Sequence, residues 1–286
     1  MIVVTGASGF IGSHIANVLR GNVVCCDLNE ESMMTPSECH NFLINTQKSI
    51  DCVIHVGGIS STTESDIIKL TNNNILYSCD ILSVCIDRDI PFVYASSASV
   101  YGLGDAGFKE DSMLSPLNYY AISKASFDMF ALQTIKDNPS AKIFGLRYFN
   151  VYGSGEDKKG NMASPIHKFL NQAIENNKIE IFVGSEKFVR DFIHIDDVVS
   201  ITIAAKDFSA SGIYNVGTGC TRSFKDVAEI ISEKTKAKII EIPFPKNLLG
   251  KYQKFTCSDN VKINLMEHSK SRISLEDGIT KVISGE

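Results

Sequence analysis

The sequence of 286 residues contains no apolar run close to the roughly 20 residues a helix needs to cross a bilayer, and its first five residues read as a strand rather than a charged leader. Both absences point to a cytoplasmic protein with no membrane segment. There is no sustained basic cluster either, and the net charge is −5. That balance excludes a nucleic-acid surface and a polybasic membrane face, although local cations can still hold one phosphorylated ligand. The eight cysteines include no CxxC pair and have no matching Cys or His cluster, so zinc-ligand spacing is absent and no metal site is expected. Several lie in apolar runs, as in Val23-Val24-Cys25-Cys26-Asp27, which makes them buried thiols rather than a disulfide framework. Internal repeats and low-complexity segments are also missing.

With 44% apolar residues, a chain of this length can bury one large core or two fused lobes. Near-continuous apolar runs occur at residues 2–4, 23–26, 52–56, 91–95 and 142–147, as expected of parallel strands covered on both faces. Helical stretches separate them, one opening at a glycine loop and others near 64–88 and 119–137, none interrupted by proline. After Phe149 a Gly- and Lys-rich loop leads to a helix near 163–177 and then to short strands and turns. Gly212-Ile213-Tyr214-Asn215-Val216 has the character of a strand returning to the main sheet. The expected fold is therefore α/β: a Rossmann-like, doubly wound parallel sheet with a smaller, interleaved C-terminal substrate lobe. Residues 1–151 and 191–218 form the dinucleotide-binding domain in this reading, and 152–190 with 219–286 the substrate-binding lobe.

Gly6-Ala7-Ser8-Gly9-Phe10-Ile11-Gly12 follows the first strand and opens a helix, the context that makes a glycine pattern credible as a dinucleotide loop. Gly6 allows the tight turn, Gly9 lets a pyrophosphate approach backbone N–H groups, and Gly12 permits close helix–strand packing. Asp27 ends the second strand, where a carboxylate accepts from ribose hydroxyls. No Lys or Arg lies between Gly21 and Gln47 to meet a 2′-phosphate, so the local sequence favours NAD.

Tyr120 and Lys124 are four apart on an expected helix, so both leave one face and can meet over one ligand. A phenol is a poor base at neutral pH, but an adjacent ammonium and an oxidised nicotinamide both favour the phenolate. Ser97, just past a strand end, can orient the same oxygen at the carboxyl edge where open α/β sheets bind ligands. Taken alone, YxxxK is common on solvated helices. Its place after a glycine loop and a serine-rich strand end turns it into a hydride-transfer site.

Together these residues resemble the extended short-chain dehydrogenase/reductase superfamily over nearly the whole chain. Ser60-Ser61-Thr62-Thr63-Glu64, Arg147-Tyr148-Phe149-Asn150-Val151-Tyr152-Gly153, Lys159-Gly160-Asn161-Met162-Ala163-Ser164, Phe188-Val189-Arg190-Asp191-Phe192 and Gly250-Lys251-Tyr252-Gln253 are similar to the ADP-L-glycero-D-manno-heptose 6-epimerase family. The resemblance implies transient oxidation at C6 of an ADP-linked heptose to a 6-keto intermediate, then reduction on the other face. It implies Tyr120 and Lys159 as the two acid/base groups, with Lys124 and Ser97 supporting Tyr120. By itself Lys159, in Asp157-Lys158-Lys159-Gly160, reads as a solvated lysine. The same correspondence puts Gly6, Gly9, Phe10, Ile11, Gly12, Asp27, Leu28, Val56, Gly57, Gly58, Ile59, Ser60, Asn73, Lys124, Val151 and Lys159 against the cofactor. Asn150, Asn161, Lys168, Phe182, Val183, Gly184, Ser185, Arg190 and Tyr252 would face the ADP-sugar, with the Arg190 fork suited to phosphate oxygens. The family's usual cofactor is NADP, and its members form homo-oligomers, pentamer-like.

The sequence departs from that family between Asp27 and Val56, which is shorter and lacks equivalents of the lysines near the adenosine ribose. Val56 stands where Glu is frequent, Asn161 where Ser is, and Lys168 where a substrate-binding His is expected, with His167 one residue away. NAD against NADP, and the exact sugar, stay open on these grounds. The rivals are another nucleotide-sugar epimerase, such as a 4-epimerase, and a catalytically silent NAD(P)-binding protein. A dehydratase is disfavoured because no Asp-Glu pair follows Ser97. His55 and His194 read as structural histidines, and Asp196-Asp197 as a helix N-cap and first-turn acid.

Overall fold

Each apolar run becomes a strand of one sheet. The computed structural model describes residues 1–27, 33–105, 107–245, 253–267 and 270–285. The first half runs β1 (Ile2–Thr5), α1 (Phe10–Val18), β2 (Val23–Cys26), α2 (Pro36–Asn45), β3 (Cys52–His55), α3 (Ile67–Leu70), α4 (Tyr77–Asp87), β4 (Phe92–Ser97), α5 (Tyr119–Asp137) and β5 (Ile143–Tyr148). A π-helical turn over Thr71–Leu76 joins α3 to α4. The second half runs β6 (Asn150–Tyr152), α6 (Pro165–Asn176), β7 (Lys178–Phe182), β8 (Val189–His194), α7 (Ile195–Ala204), β9 (Gly212–Val216), β10 (Thr221–Ser223), α8 (Phe224–Thr235), β11 (Lys238–Ile242) and α9 (Leu275–Ser284).

The main sheet is six-stranded and parallel, in the order β2-β1-β3-β4-β5-β9. Every residue of β1, β3, β5 and β9 is buried, which explains their lack of polar alternation. One face packs on Ile15 of α1 and Val198, Val199 and Ile201 of α7. The other meets Cys39 and Leu43 of α2, Ile81 and Cys85 of α4, and Phe127 of α5. All eight cysteines are free thiols. No helix among the described residues is long and apolar enough to cross a membrane.

A second apolar cluster lies beyond the sheet's carboxyl edge. It joins Ile166, Phe169 and Leu170 of α6, Ile179 and Ile181 of β7, Val227 and Ile231 of α8, and Ile279 of α9. Two small sheets frame it, β10-β8-β6 and β11-β7. The chain passes from β5 of the large sheet to β6 of a small one across Phe149 alone, then returns at β9 beside β5. Asp197 fastens the C-terminal segment to α7, accepting from Ser271 Oγ (3.0 Å), Arg272 N (3.1 Å) and Ile273 N (3.0 Å). The α7 N-cap is His194, whose Nδ1 accepts from Asp196 N at 3.2 Å, so Asp196 is a first-turn acid and not the cap expected of it.

Candidate active site

Where β1, β3, β4 and β5 end, a cavity of about 790 Å³ opens between the large sheet and the smaller cluster. The glycine loop forms one wall. Gly6 has φ +69°, and a Cβ there would lie 2.5 Å from Gly57 Cα; one on Gly12 would lie 2.0 Å from the Gly6 oxygen. Any side chain at either position would therefore push the loop off the sheet or the helix off the loop. Helix α1 starts at Gly9 without a side-chain cap and without an acid in its first turn, so its N–H groups and positive dipole end face the cavity. This cradle fits a pyrophosphate. Asp27 lies at the same wall and accepts from Ser8 N at 3.0 Å.

The opposite side of that half is the loop after β3, with Val56, Gly57, Gly58, Ile59 and Ser60 on the cavity. Asn74, 1% exposed inside the π-helical turn, holds this loop. Its Oδ1 accepts from Ile59 N at 2.7 Å, and its Nδ2 donates to Ile59 O at 3.0 Å and Ser123 Oγ at 2.9 Å. Asn73, the expected residue, also lines the cavity, but its amide donates back to Lys69 O at 2.8 Å.

On α5 the cap is Asn118, accepting from Ala121 N at 2.8 Å, and the first two turns present Tyr120 and Lys124 to the cavity. Burial pushes the Tyr120 phenol above its usual range; a hydrogen bond from Ser97 pulls it back down, and the nearby Asp128 charge adds to the rise. Burial lowers Lys124 to about 8, opposed by the same Asp128. Its Nζ donates to Ala95 O at 2.9 Å, tying α5 to the end of β4. Asp128 itself is locked in a buried pair with Arg147, Nε to Oδ2 at 2.8 Å.

Lys159 enters from the 3-10 segment that follows β6. Its Nζ donates to Val151 O at 3.1 Å and to Glu156 Oε2 at 2.9 Å, and lies 4.7 Å from the centre of the Phe10 ring. Tyr120, Lys124, Ser97 and Lys159, separated by up to 62 positions, thus share one chamber with the glycine loop.

Residues 2–217 match the model of the NAD dependent epimerase/dehydratase family. A curated ADP-L-glycero-D-manno-heptose-6-epimerase of Brachyspira hyodysenteriae is 39% identical over 306 residues, covering 98% of this chain and 96% of its own. The chain belongs to the NAD-dependent epimerase/dehydratase family. Among solved structures, the Helicobacter pylori ADP-L-glycero-D-manno-heptose-6-epimerase superposes with a TM-score of 0.83 at 28% identity, covering 99% of this chain and 95% of that one. The Thermotoga maritima UDP-glucose 4-epimerase, solved with UDP-glucose, gives 0.84 at 25% identity over 99% and 97% of the two chains. A nicotinamide dinucleotide is the family's cofactor, and the glycine cradle is built to receive it.

Asn150, Asn161, Lys168 and Arg190, expected to face a sugar nucleotide, also line the cavity. Lys168 Nζ donates to Asn161 O at 2.9 Å. Arg190 donates to Val189 O at 3.0 Å and to Gln253 O, with its guanidinium 5.4 Å from the Phe224 ring. The neighbouring Asp191 carboxylate is occupied by Thr218, Gly219 and Ser258 amides. Phe10, Ile11 and Val151 line the same cavity. Leu28 and Tyr252 lie outside the described residues. Phe182, Val183, Gly184 and Ser185 do not line the cavity: Phe182 packs edge-on against Phe244 at 5.4 Å, Val183 N bonds Ile242 O at 2.9 Å, and Ser185 is 2% exposed.

Three features escaped the sequence. Lys158 donates to Ser8 O at 3.1 Å, bringing a cation to the glycine loop that residues 22–47 lack. Asn74 and Glu156 are the other two, and only the burial of each marks it. His55 bonds Thr5 Oγ1 at 2.7 Å and Ser78 Oγ at 2.9 Å, and burial holds it down at about 3, so it is a neutral structural residue. Among the described residues no three His, Cys, Asp or Glu side chains converge as metal ligands.

Proposed function

We propose that this enzyme inverts C6 of ADP-D-glycero-D-manno-heptose to give ADP-L-glycero-D-manno-heptose. The observation that supports the reading is that Tyr120 on α5 and Lys159 on the segment after β6 line one cavity, because an epimerase needs one proton carrier for each configuration of the hydroxyl. The bound dinucleotide supplies a reversible hydride acceptor. Tyr120, held by Ser97 and beside the Lys124 ammonium, takes the C6 hydroxyl proton while the C6–H electron pair departs with its hydrogen as hydride. The sugar is then a 6-ketone. Hydride returns to the opposite face of C6, and Lys159 gives the oxygen its proton. Tyr120 ends protonated and Lys159 deprotonated, so one proton is released from Tyr120 to solvent and one taken up by Lys159 before the next turnover; no net redox results.

Arg190, Lys168, Asn150 and Asn161 hold the ADP-sugar in this proposal, and Gly6, Gly9, Gly12, Asp27, Asn73 and the loop 56–60 hold the cofactor. Residues 1–151 with 191–218 act as the dinucleotide-binding unit, and the remainder as the substrate lobe. The enzyme works in the cytoplasm, supplying heptose for a surface glycan. It works as a homo-oligomer, with Ile122, Met129 and Phe130 of α5 and Ile67, Ile68 and Leu76 beside them as the apolar contact face; each is at least 45% exposed.

Incubation with ADP-D-glycero-D-manno-heptose, followed by NMR of the C6 configuration, tests the activity. Conversion is expected. No conversion, together with turnover of UDP-glucose at C4, would replace this reading with the 4-epimerase one.

A further inference from the structure

The run Gly155-Glu156-Asp157-Lys158-Lys159-Gly160 has the composition of a solvated loop, yet the Glu156 side chain is 1% exposed. An ionised carboxylate is costly to bury unless it is paired and fully hydrogen-bonded. Here both oxygens are engaged. Oε1 accepts from Gly153 N at 3.3 Å and Ser164 Oγ at 2.8 Å; Oε2 accepts from Ser164 N at 2.7 Å and Lys159 Nζ at 2.9 Å. Gly153 follows β6 and Ser164 caps α6, so the carboxylate is anchored to two elements before it meets Lys159.

The pair sits three residues apart on a 3-10 turn over Glu156–Met162, which sends both side chains to one side. A lysine ammonium has three N–H donors. Glu156 and the Val151 carbonyl take two of them, and the Phe10 ring flanks the nitrogen at 4.7 Å. Lys159 lines the cavity, so its remaining donor capacity is available to a ligand bound there. An unrestrained lysine would sample many rotamers over the same space.

We infer that Glu156 is a positioning residue for Lys159, fixing the direction from which the ammonium meets the sugar oxygen without touching the sugar itself. The inference rests on the proposed acid/base role of Lys159. It accounts for a buried carboxylate that the hydride-transfer machinery does not otherwise use.

A double-mutant cycle tests it, using Glu156→Gln, Lys159→Ala and the double variant, with kcat, KM, melting temperature and retained dinucleotide measured for each. Loss of alignment costs about 10²-fold for a displacement near 1 Å. Glu156→Gln is therefore expected to lower kcat about 10- to 100-fold with KM within about twofold, while adding nothing in the Lys159→Ala background. An equal loss of kcat in both backgrounds, or a lower melting temperature with unchanged kcat, would overturn the positioning role. Full activity of Lys159→Ala alone would instead remove the catalytic reading of Lys159, and this inference with it. Should Glu156→Gln fail to fold, Glu156→Asp in the same two backgrounds retains the charge but retracts it, and the same non-additivity is required.

Discussion

Replacing Ser97 by Ala isolates one of two opposed forces on the Tyr120 phenol. Burial raises its proton affinity, and the Ser97 hydroxyl counters that rise by donating to the phenolate. Ser97 Oγ already accepts from Ser99 N at 3.2 Å, which leaves its own proton for Tyr120. A hydrogen bond to a charged group is worth about 1.5–3 kcal/mol. At 1.36 kcal/mol per pH unit, its loss moves the phenol upward by about one to two units. Since the phenolate is the active form, activity rises with pH through this titration, and Ser97→Ala shifts that acid limb to higher pH. At pH 7 kcat should fall about 10- to 100-fold, with the deficit shrinking as pH increases. The assay is kcat against pH at saturating substrate, with C6 inversion read by NMR. An acid limb that does not move, or a loss of the same factor at every pH, would show that Ser97 does not tune the phenol.

Tyr120→Phe should cost about 10²–10⁴ in kcat while the protein retains its dinucleotide; an unchanged epimerisation rate would refute the assignment of the base. Asp128→Asn strips the partner from Arg147 in a pair whose side chains are each 1% exposed. It should lower unfolding stability by about 3–5 kcal/mol in urea titration, and a loss below about 1 kcal/mol would contradict the buried pairing. The same change removes a charge that supports the Lys124 ammonium, so Lys124 should lose its proton at lower pH, as read by NMR titration of that side chain. Lys158→Ala should weaken NADP more than NAD, by up to about fivefold in calorimetric titration, as expected of one exposed cation near a phosphate. Equal affinities before and after would place Lys158 away from the 2′ position.

The large sheet was legible because strands sealed on both faces are predominantly apolar, and β1, β3 and β5 have that signature in short runs, with Thr5, His55 and Arg147 as their few polar members. The cofactor loop was legible because glycine is demanded there by steric contacts as short as 2.0 Å. Residues fixed by long-range geometry were not. Strands β6 and β10 are only three residues each and draw their register from β8, so no local periodicity reveals them. The loop-holding role of Asn74 was not legible because the π-helical turn sets which asparagine of Asn72-Asn73-Asn74 faces the loop. Lys158 reaches Ser8 across 150 positions. Glu156 looked solvated because charge in a glycine-flanked run ordinarily is. The segment Phe182–Ser185 kept its resemblance to substrate-binding residues, while its strand pairing with β11 turned it away from the cavity.

The excursion between β5 and β9 also bears on synthesis. While the chain is being made, β5 emerges some sixty residues before the strand that will cover its outer edge, since β9 spans Gly212–Val216 and pairs Phe144 through Tyr148. During that interval a largely apolar parallel strand has one unpaired flank, and an unpaired flank is a template for foreign strands. Nascent chains stalled between β5 and β9 should accordingly be the ones that chaperones hold and that aggregate when synthesis outpaces them.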